Sequence, residues 1–124
     1  MKKILIVEDD FASELMLEMM IEVYCKTPLI ATNGMDAVRL CKENPDIDIV
    51  FMDIKMPELN GYDATKKIRE FNKDILIIAQ TSYAFPDDRE KAITAGCNDY
   101  ISKPYSQRDL TELLKKWAKN IMIL

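Results

Sequence analysis

The 124 residues of this chain fit one domain, and their composition excludes several classes of protein. Apolar residues make up 48% and charged residues 31%, so the chain can bury a core and intrinsic disorder is excluded. The 17 Lys and Arg residues against 21 Asp and Glu residues give a net charge of -4, which argues against nucleic-acid binding as the main activity.

The lengths of the apolar runs and the kinds of reactive side chain exclude further classes of protein and of catalytic site. No apolar run approaches the roughly 18 residues that a membrane span needs. The first short run ends at the acids after Val7, so it cannot serve as the apolar core of a signal peptide. We therefore expect a cytoplasmic protein without membrane contact. The 3 cysteines are far apart, which predicts reduced thiols. The chain has 0 histidines, which excludes Ser-His and Cys-His catalysis and most zinc sites. Any chemistry must use carboxylates, hydroxyls and lysines.

Strands and helices are predicted in alternation along the chain. The first strand, 3–7, ends in three acids, of which Asp10 is the expected cap of the following helix. That helix, 12–23, has one apolar stripe and a separate row of glutamates spaced four apart. We expect the methionines of the chain, including those of this helix and its flanks to Met35, to fill the core. The other predicted strands are 29–31, 47–52, 75–79 and 100–102. Two further helices are predicted at 35–43 and 62–71. A fourth helix begins at 86–88 and ends at Gly96, and the last runs from Ser106 to Ile121 with a Ser106–Asp109 capping signal.

Five strands alternating with five helices predict an α/β, doubly wound fold, because parallel strands need helices on both faces. The binding crevice of such a sheet lies at the carboxyl ends of the strands. Polar residues occur at these ends and should open onto one crevice: Glu8, Asp9, Asp53, Thr81 and Lys103.

Three carboxylates in one crevice cannot all stay ionised without nearby positive charge, since like charges at 4 Å repel by roughly 4 kcal/mol at an effective dielectric of 20. Lys103 supplies one charge, and Mg²⁺, with Mn²⁺ as an alternative, suits a site with few oxygen ligands. Such a site would attract phosphate, and Thr81 and Lys103 could bind phosphoryl oxygens. Asp53, on the middle strand, could act as a nucleophile that forms an acyl phosphate.

These residues resemble the response-regulator receiver domains of two-component signalling over essentially all of the chain, 1–124. The acid pair Glu8-Asp9 is followed by Asp53-Ile-Lys-Met-Pro-Glu-Leu-Asn-Gly61, which matches the family's Asp-x-x-Met-Pro-x-x-x-Gly signature. Thr81-Ser82 and the segment 100–104, Tyr-Ile-Ser-Lys-Pro, complete the pattern. The resemblance implies a flavodoxin-like sheet of five strands in the order 2-1-3-4-5.

The resemblance also implies a role for each site residue. Asp53 would be phosphorylated, Asp9 would bind Mg²⁺ directly, Glu8 would bind it through water, and the Lys55 backbone carbonyl would be a further ligand. Lys103 would pair with Asp53.

Further roles implied by the resemblance concern the switch. Thr81 would bind a phosphoryl oxygen, Tyr100 would move inward in response, and the fourth helix, fifth strand and fifth helix would form the output surface. A cis peptide bond would precede Pro104. Lys55 and Tyr83 occupy positions that we expect to screen the acyl phosphate from water.

The predicted function is therefore a phosphoacceptor switch that takes its phosphoryl group from a histidine kinase or histidine phosphotransfer protein and hydrolyses it slowly, without multiple turnover. The chain could be a stand-alone regulator or part of a hybrid histidine kinase, and it could form a homodimer. Two alternatives stay open. One is a metal-dependent phosphatase with Asp53 as nucleophile, although Lys55 stands where an acid would be expected as proton donor. The other is a protein-binding module that works without phosphorylation.

Overall fold

Five short apolar runs form the strands of one parallel sheet in the computed structural model, which describes residues 2–82 and 85–117. Every residue of the first, third and fourth strands is buried, as expected for parallel strands that are covered on both faces. The order β2-β1-β3-β4-β5 confirms the predicted topology. The strands are β1 (Ile4–Val7), β2 (Leu29–Ala31), β3 (Ile49–Asp53), β4 (Leu76–Thr81) and β5 (Asp99–Ser102).

Five helices cover the two faces of this sheet, and alternate residues of each strand separate two apolar clusters. Val50 and Met52 of β3 pack in one cluster with Ile68, and Phe51 packs in the other with Leu17 and Leu110. The helices are α1 (Phe11–Met20), α2 (Gly34–Glu43), α3 (Gly61–Arg69), α4 (Asp88–Ala95) and α5 (Gln107–Lys116).

The predicted helix caps are confirmed. The Asp10 side chain accepts hydrogen bonds from the Ser13 backbone N–H at 2.9 Å and from its hydroxyl at 2.7 Å. Ser106 and Asp109 form a reciprocal capping box at α5. Gly96 ends α4 with a φ of 113°, a conformation that glycine adopts without a Cβ clash.

The first helix differs from its prediction. It ends at Met20, and residues 21–24 form a turn. Leu17 and Ile21 are the residues here that face the sheet, whereas Met16 and Met19 are 58% and 70% exposed. The prediction that the methionines fill the core is therefore wrong for these two and for Met35. The helix offers two apolar stripes, and the stripe that contains Leu17 is the one that packs.

The predicted end of the last helix, Ile121, lies outside the described residues. Within residues 2–82 and 85–117, no helix combines the length and the apolar character that crossing a membrane requires.

Candidate functional site

Three carboxylates meet where β1 and β3 end. The two strands are neighbours, and Val7 pairs with Met52, so the residues that follow, Glu8 and Asp53, lie at the same level. Carboxylate oxygens of Glu8, Asp9 and Asp53 all lie within 4.8 Å of one another. Because β2 lies on the other side of β1, this is also the point at which the strand order reverses. The sequence predicted both the crevice and the acids in it.

Burial makes the ionised form of these carboxylates unfavourable. The side chains of Glu8 and Asp53 are buried, whereas Asp9 is exposed. Burial, together with the hydrogen bond and negative charge of Glu8, raises the pKa of Asp53 to about 8, although the Lys103 ammonium opposes the shift. At neutral pH the carboxyl of Asp53 therefore keeps a proton for much of the time unless a further cation enters the site.

Lys103 reaches this cluster from the end of β5. Its backbone N–H donates to the Thr81 carbonyl at 2.7 Å, and its Nζ contacts Glu8 Oε2 at 2.5 Å. Among the described residues, its ion pair is therefore with Glu8, and the expected pair with Asp53 is not formed in this state. The physical reason is that Glu8 has the longer side chain, whereas Asp53 has a raised pKa and attracts a cation less. The bond between Lys103 and Pro104 is cis, as predicted.

The remaining predicted residues lie around the same edge of the sheet. Thr81 is buried at the end of β4 and pairs in register with Ser102. Tyr100 packs partly buried against the cluster that contains Met52, and its hydroxyl has no hydrogen-bond partner among the described residues. The Lys55 side chain is exposed in the loop after β3. Tyr83 lies outside the described residues.

Gly61 allows α3 to begin directly against the strand that carries Asp53. The Gly61 N–H donates to the Ile54 carbonyl at 3.0 Å. A Cβ at this position would lie only 2.2 Å from the Asp53 carbonyl oxygen. The last residue of the Asp-x-x-Met-Pro-x-x-x-Gly pattern therefore has a steric role, because any side chain would push the helix away from the end of β3.

Two residues of the site were missed by sequence reasoning. The Tyr105 hydroxyl donates to Gln80 Oε1 at 2.6 Å, and Gln80 is buried beside Asp53 in the sheet register. Burial raises the pKa of Tyr105, and the charges of Glu8 and Asp53 raise it further. The available signal was a glutamine within the otherwise apolar run of β4. This pair connects the loop after Lys103 to the strand next to Asp53.

The donor set fits a hard divalent cation. Three converging carboxylates supply oxygen ligands, and the exposed Asp9 leaves one side of the cluster open to water and to a substrate. A bound cation would favour the ionised form of Asp53, which is the nucleophilic form. The site can therefore combine cation binding with attack by a carboxylate on an electrophilic phosphorus.

Comparison with known proteins identifies relatives of this arrangement. A family model described as the response regulator receiver domain matches residues 4–115. The chain is 37% identical over 122 residues to hybrid signal transduction histidine kinase G of Dictyostelium discoideum, and 29% identical over 121 residues to sensor histidine kinase GacS of Pseudomonas protegens. Each match covers 94% of this chain but only 4% and 13% of those proteins, so the chain spans a small part of the length of these curated relatives.

Solved structures give closely similar folds. The receiver domain of Saccharomyces cerevisiae Ssk1, crystallised with the histidine phosphotransfer protein Ypd1, matches with a TM-score of 0.86 and 30% identity, over 99% of this chain and 92% of that one. The receiver domain of sensor histidine kinase PA1611 from Pseudomonas aeruginosa, with magnesium coordinated in its active site cleft, matches with a TM-score of 0.85 and 34% identity, over 95% and 98% of the two chains.

Proposed function

Because the chain belongs to the family of response regulator receiver domains, which are phosphoacceptor switches of two-component systems, we propose that Asp53 is the residue that takes the phosphoryl group. The observation that carries this assignment is the convergence of Asp53 with Glu8 and Asp9 within 4.8 Å at the switch point of the sheet. Asp53 lies at the end of β3, the middle strand of the sheet. We propose that residues 1–124 act as one receiver domain.

The same carboxylates are the proposed Mg²⁺ ligands, and Mn²⁺ could take the same place. Asp9 and Asp53 would bind the ion directly, Glu8 through a water molecule, and the Lys55 backbone carbonyl would complete the protein ligands. The magnesium in the receiver of PA1611 supports this proposal. When bound, the ion supplies positive charge that offsets the carboxylates and the transferred phosphoryl group.

The proposed transfer joins an Asp53 carboxylate oxygen to phosphorus. As that P–O bond forms, the P–N bond of a phosphohistidine on the donor breaks, and its electron pair stays on the imidazole nitrogen, which takes up a proton from water. Thr81 donates a hydrogen bond to one phosphoryl oxygen. The Lys103 ammonium, which contacts Glu8 in the present state, turns to another.

The chain has 0 histidines, so a phosphohistidine donor must lie on another protein or another domain. We propose a histidine kinase or a histidine phosphotransfer protein as the donor, in the cytoplasm. The complex of the Ssk1 receiver with Ypd1 supports a phosphotransfer protein, and the similarity to hybrid kinases supports a kinase.

We propose that output leaves through α4, β5 and α5. Phosphoryl contact by Thr81 would shift Tyr100 between two positions, and Tyr100 follows Asp99 on β5. Asp99 is buried and connects the two helices, since it accepts from Arg89 of α4 at 2.9 Å and from Lys116 of α5 at 3.0 Å. A movement of β5 is therefore transmitted to both helices of this surface. Lys55 and Tyr83 would set the lifetime of the acyl phosphate, and replacing both by alanine should change the dephosphorylation rate.

Acetyl phosphate with Mg²⁺ tests the proposal on the purified chain. We expect one phosphoryl group per chain that hydroxylamine and alkali remove, detected by intact mass spectrometry, and its loss in Asp53→Asn. Asp63→Asn, which changes an exposed carboxylate on α3, is the matched control and should keep the label. Sustained release of phosphate over many turnovers would instead indicate a phosphatase, and absence of label in the wild-type chain would indicate a phosphorylation-independent binding module.

A further inference from the structure

A buried glutamine interrupts the apolar run of β4 beside the candidate site. Gln80 is 1% exposed, and the residues before it on the strand, 76–79, are apolar and buried. It lies opposite Asp53 in the sheet register. Strand alternation places both residues on the face of the sheet that carries Phe51 and that α1 and α5 cover. A polar side chain in such a place lowers stability unless its donors and acceptors are paired.

The side-chain amide of Gln80 is only partly paired. Its Oε1 accepts a hydrogen bond from the Tyr105 hydroxyl at 2.6 Å, whereas its Nε2 is buried and has no hydrogen-bond partner in residues 2–82 and 85–117. A buried donor without a partner costs more free energy than a typical hydrogen bond contributes. An apolar residue of similar size would avoid this cost, so the stability of β4 does not explain why a glutamine stands here.

The partner of Gln80 belongs to the chain segment that carries Lys103. The Lys103 backbone N–H donates to the Thr81 carbonyl at 2.7 Å. Two residues later, the Tyr105 hydroxyl donates to Gln80, the residue immediately before Thr81. Both ends of segment 103–105 are therefore attached to consecutive residues at the end of β4. This attachment restricts the backbone from which the Lys103 side chain extends.

The side chain of Lys103 is long and has to change partners during the proposed reaction. Its Nζ contacts Glu8 Oε2 at 2.5 Å in the present state, and the proposed transfer requires it to turn to a phosphoryl oxygen on Asp53. Because a lysine side chain is a flexible stem of four carbons, the place that its charge can reach depends on where its backbone is held. A charged group stabilises a transition state most effectively when it is held in position beforehand. Displacement of a reacting group by about 1 Å can lower a rate about a hundredfold.

We propose that the hydrogen bond between Tyr105 and Gln80 positions Lys103 for phosphoryl transfer, because it holds segment 103–105 against the end of β4. This inference rests on the function proposed above for Asp53. Tyr105 and Gln80 are positioning residues: they act through Lys103 and do not themselves contact the phosphoryl group. The unpaired Nε2 of Gln80 is then a loss of stability that accompanies the correct geometry of the site.

A purely structural role for the pair predicts different results. If the hydrogen bond served mainly to attach the start of α5 to the sheet, its removal would lower stability, and any loss of rate would follow from that. As a positioning contact, the pair should affect the rate only while residue 103 carries an ammonium group. Measurements of stability and of rate, with and without this group, therefore separate the two roles.

The first experiment replaces both polar partners by apolar residues of similar shape, in the double variant Gln80→Met with Tyr105→Phe. We expect its midpoint of unfolding in urea to equal or exceed that of the wild type, because the variant buries no unpaired donor. The second-order rate constant for labelling of Asp53 by acetyl phosphate with Mg²⁺ should fall about fivefold, because Lys103 is no longer held in place. The Mg²⁺ affinity, followed by NMR, should stay close to that of the wild type, since Lys103 is not among the proposed ligands.

The second experiment tests whether the pair acts through Lys103. Tyr105→Phe alone should lower the labelling rate about fivefold in the wild-type background and leave it unchanged in the Lys103→Met background, where there is no ammonium group to position. Binding of beryllium fluoride, a mimic of the phosphoryl group that does not turn over, gives the same comparison as an affinity measured with Mg²⁺.

Tyr24→Phe is the matched control, because it removes a tyrosine hydroxyl near the amino ends of the strands, where the Tyr24 carbonyl accepts from the Lys2 N–H at 3.1 Å. This variant should be labelled like the wild type. The positioning role is overturned if Tyr105→Phe is labelled as fast as Tyr24→Phe, if it lowers the rate by the same factor with and without the Lys103 ammonium, or if the double variant loses stability along with rate. Absence of label on the wild-type chain would instead contradict the proposed function of Asp53.

Discussion

The burial of Asp53 opposes the ionisation that the proposed reaction requires of it. A carboxylate that is to attack phosphorus must be ionised, yet Asp53, the proposed phosphoacceptor, is buried next to a second buried carboxylate, Glu8, and has a pKa of about 8. Folding without a metal ion therefore works against ionisation of this group. The site holds electrostatic strain that a cation or a phosphoryl group with its cation can relieve.

The strain predicts that Asp53→Asn stabilises the Mg²⁺-free protein. The folded-state pKa lies above the ordinary value of 3.8, so folded Asp53 binds its proton more tightly than unfolded Asp53 does. The wild type accordingly loses stability as the pH rises from about 4 towards about 8, whereas the asparagine variant avoids this loss. Chemical unfolding in EDTA should show no difference near pH 4 and a gain on the order of 2 kcal/mol near pH 9.

The control for this prediction is Asp63→Asn, because Asp63 is an exposed acid outside the cluster. Its unfolding free energy should differ from the wild type by the same small amount at both pH values. A stability difference between wild type and Asp53→Asn that does not grow with pH would show that Asp53 is not held protonated by its surroundings.

At the residue scale, the sequence predicted the positions of the site residues better than their contacts. Glu8, Asp9 and Asp53 follow apolar runs directly, and the end of a buried strand determines where the next side chain lies. The contact between Lys103 and Glu8 depends on side-chain length and on which carboxylate remains charged. The Tyr105–Gln80 hydrogen bond joins residues 25 apart in the chain, and no local pattern indicates such a pair.

At the scale of elements, the start of α3 depends on a close approach that a glycine permits. Gly61 begins this helix against the carbonyl of Asp53, and the structure leaves no room there for a Cβ. Gly61→Ala should force α3 and the end of β3 apart. We expect a loss of about 1–3 kcal/mol in unfolding free energy, in the range of other overpacking substitutions, and weaker Mg²⁺ binding because Asp53 is displaced.

Unfolding in urea and Mg²⁺ titration by NMR would measure both effects. Ala64→Gly provides a comparison, since Ala64 lies one turn later on α3 and its substitution weakens the helix without a clash. That variant should lose stability while its Mg²⁺ affinity stays close to that of the wild type. Equal affinities in both variants would mean that the contact at Gly61 does not position Asp53.

The first helix shows where prediction at this scale is limited. Helical periodicity identified the stripe that contains Met16 and Met19, but a second apolar stripe is formed by Leu17, Ile21 and Cys25, which are also spaced four apart and are buried. Periodicity alone does not decide which of two apolar stripes packs against a sheet. That choice depends on how each stripe fits against β1 and α5, and α5 is distant in the chain. The stripe that contains Met16 and Met19 remains exposed.

At the scale of the whole molecule, the doubly wound class could be predicted from the sequence pattern because few topologies satisfy the rules for parallel sheets, whereas the strand order was implied by the resemblance to receiver domains. Alternating strands and helices require right-handed crossovers, and a run that is apolar throughout must be covered on both faces. The same topology explains why residues 95 apart in the chain, Glu8 and Lys103, come into contact. Binding in the crevice between the strand ends therefore affects the stability of the entire sheet.

Mg²⁺ should accordingly raise the stability of the folded chain by an amount that depends on pH. An ion that binds the folded state alone adds about 2.7 kcal/mol at a free concentration 100 times its dissociation constant. Protons compete for Asp53, whose pKa is about 8, so the increase in Tm should be small near pH 5 and larger near pH 8.5. Calorimetric scans with Mg²⁺ and with EDTA measure this difference directly. Asp53→Asn lacks the titrating carboxylate and should show a smaller, pH-independent gain over this range. A Mg²⁺-induced increase that is equal in the two proteins at both pH values would mean that the ion binds elsewhere than at the end of β3.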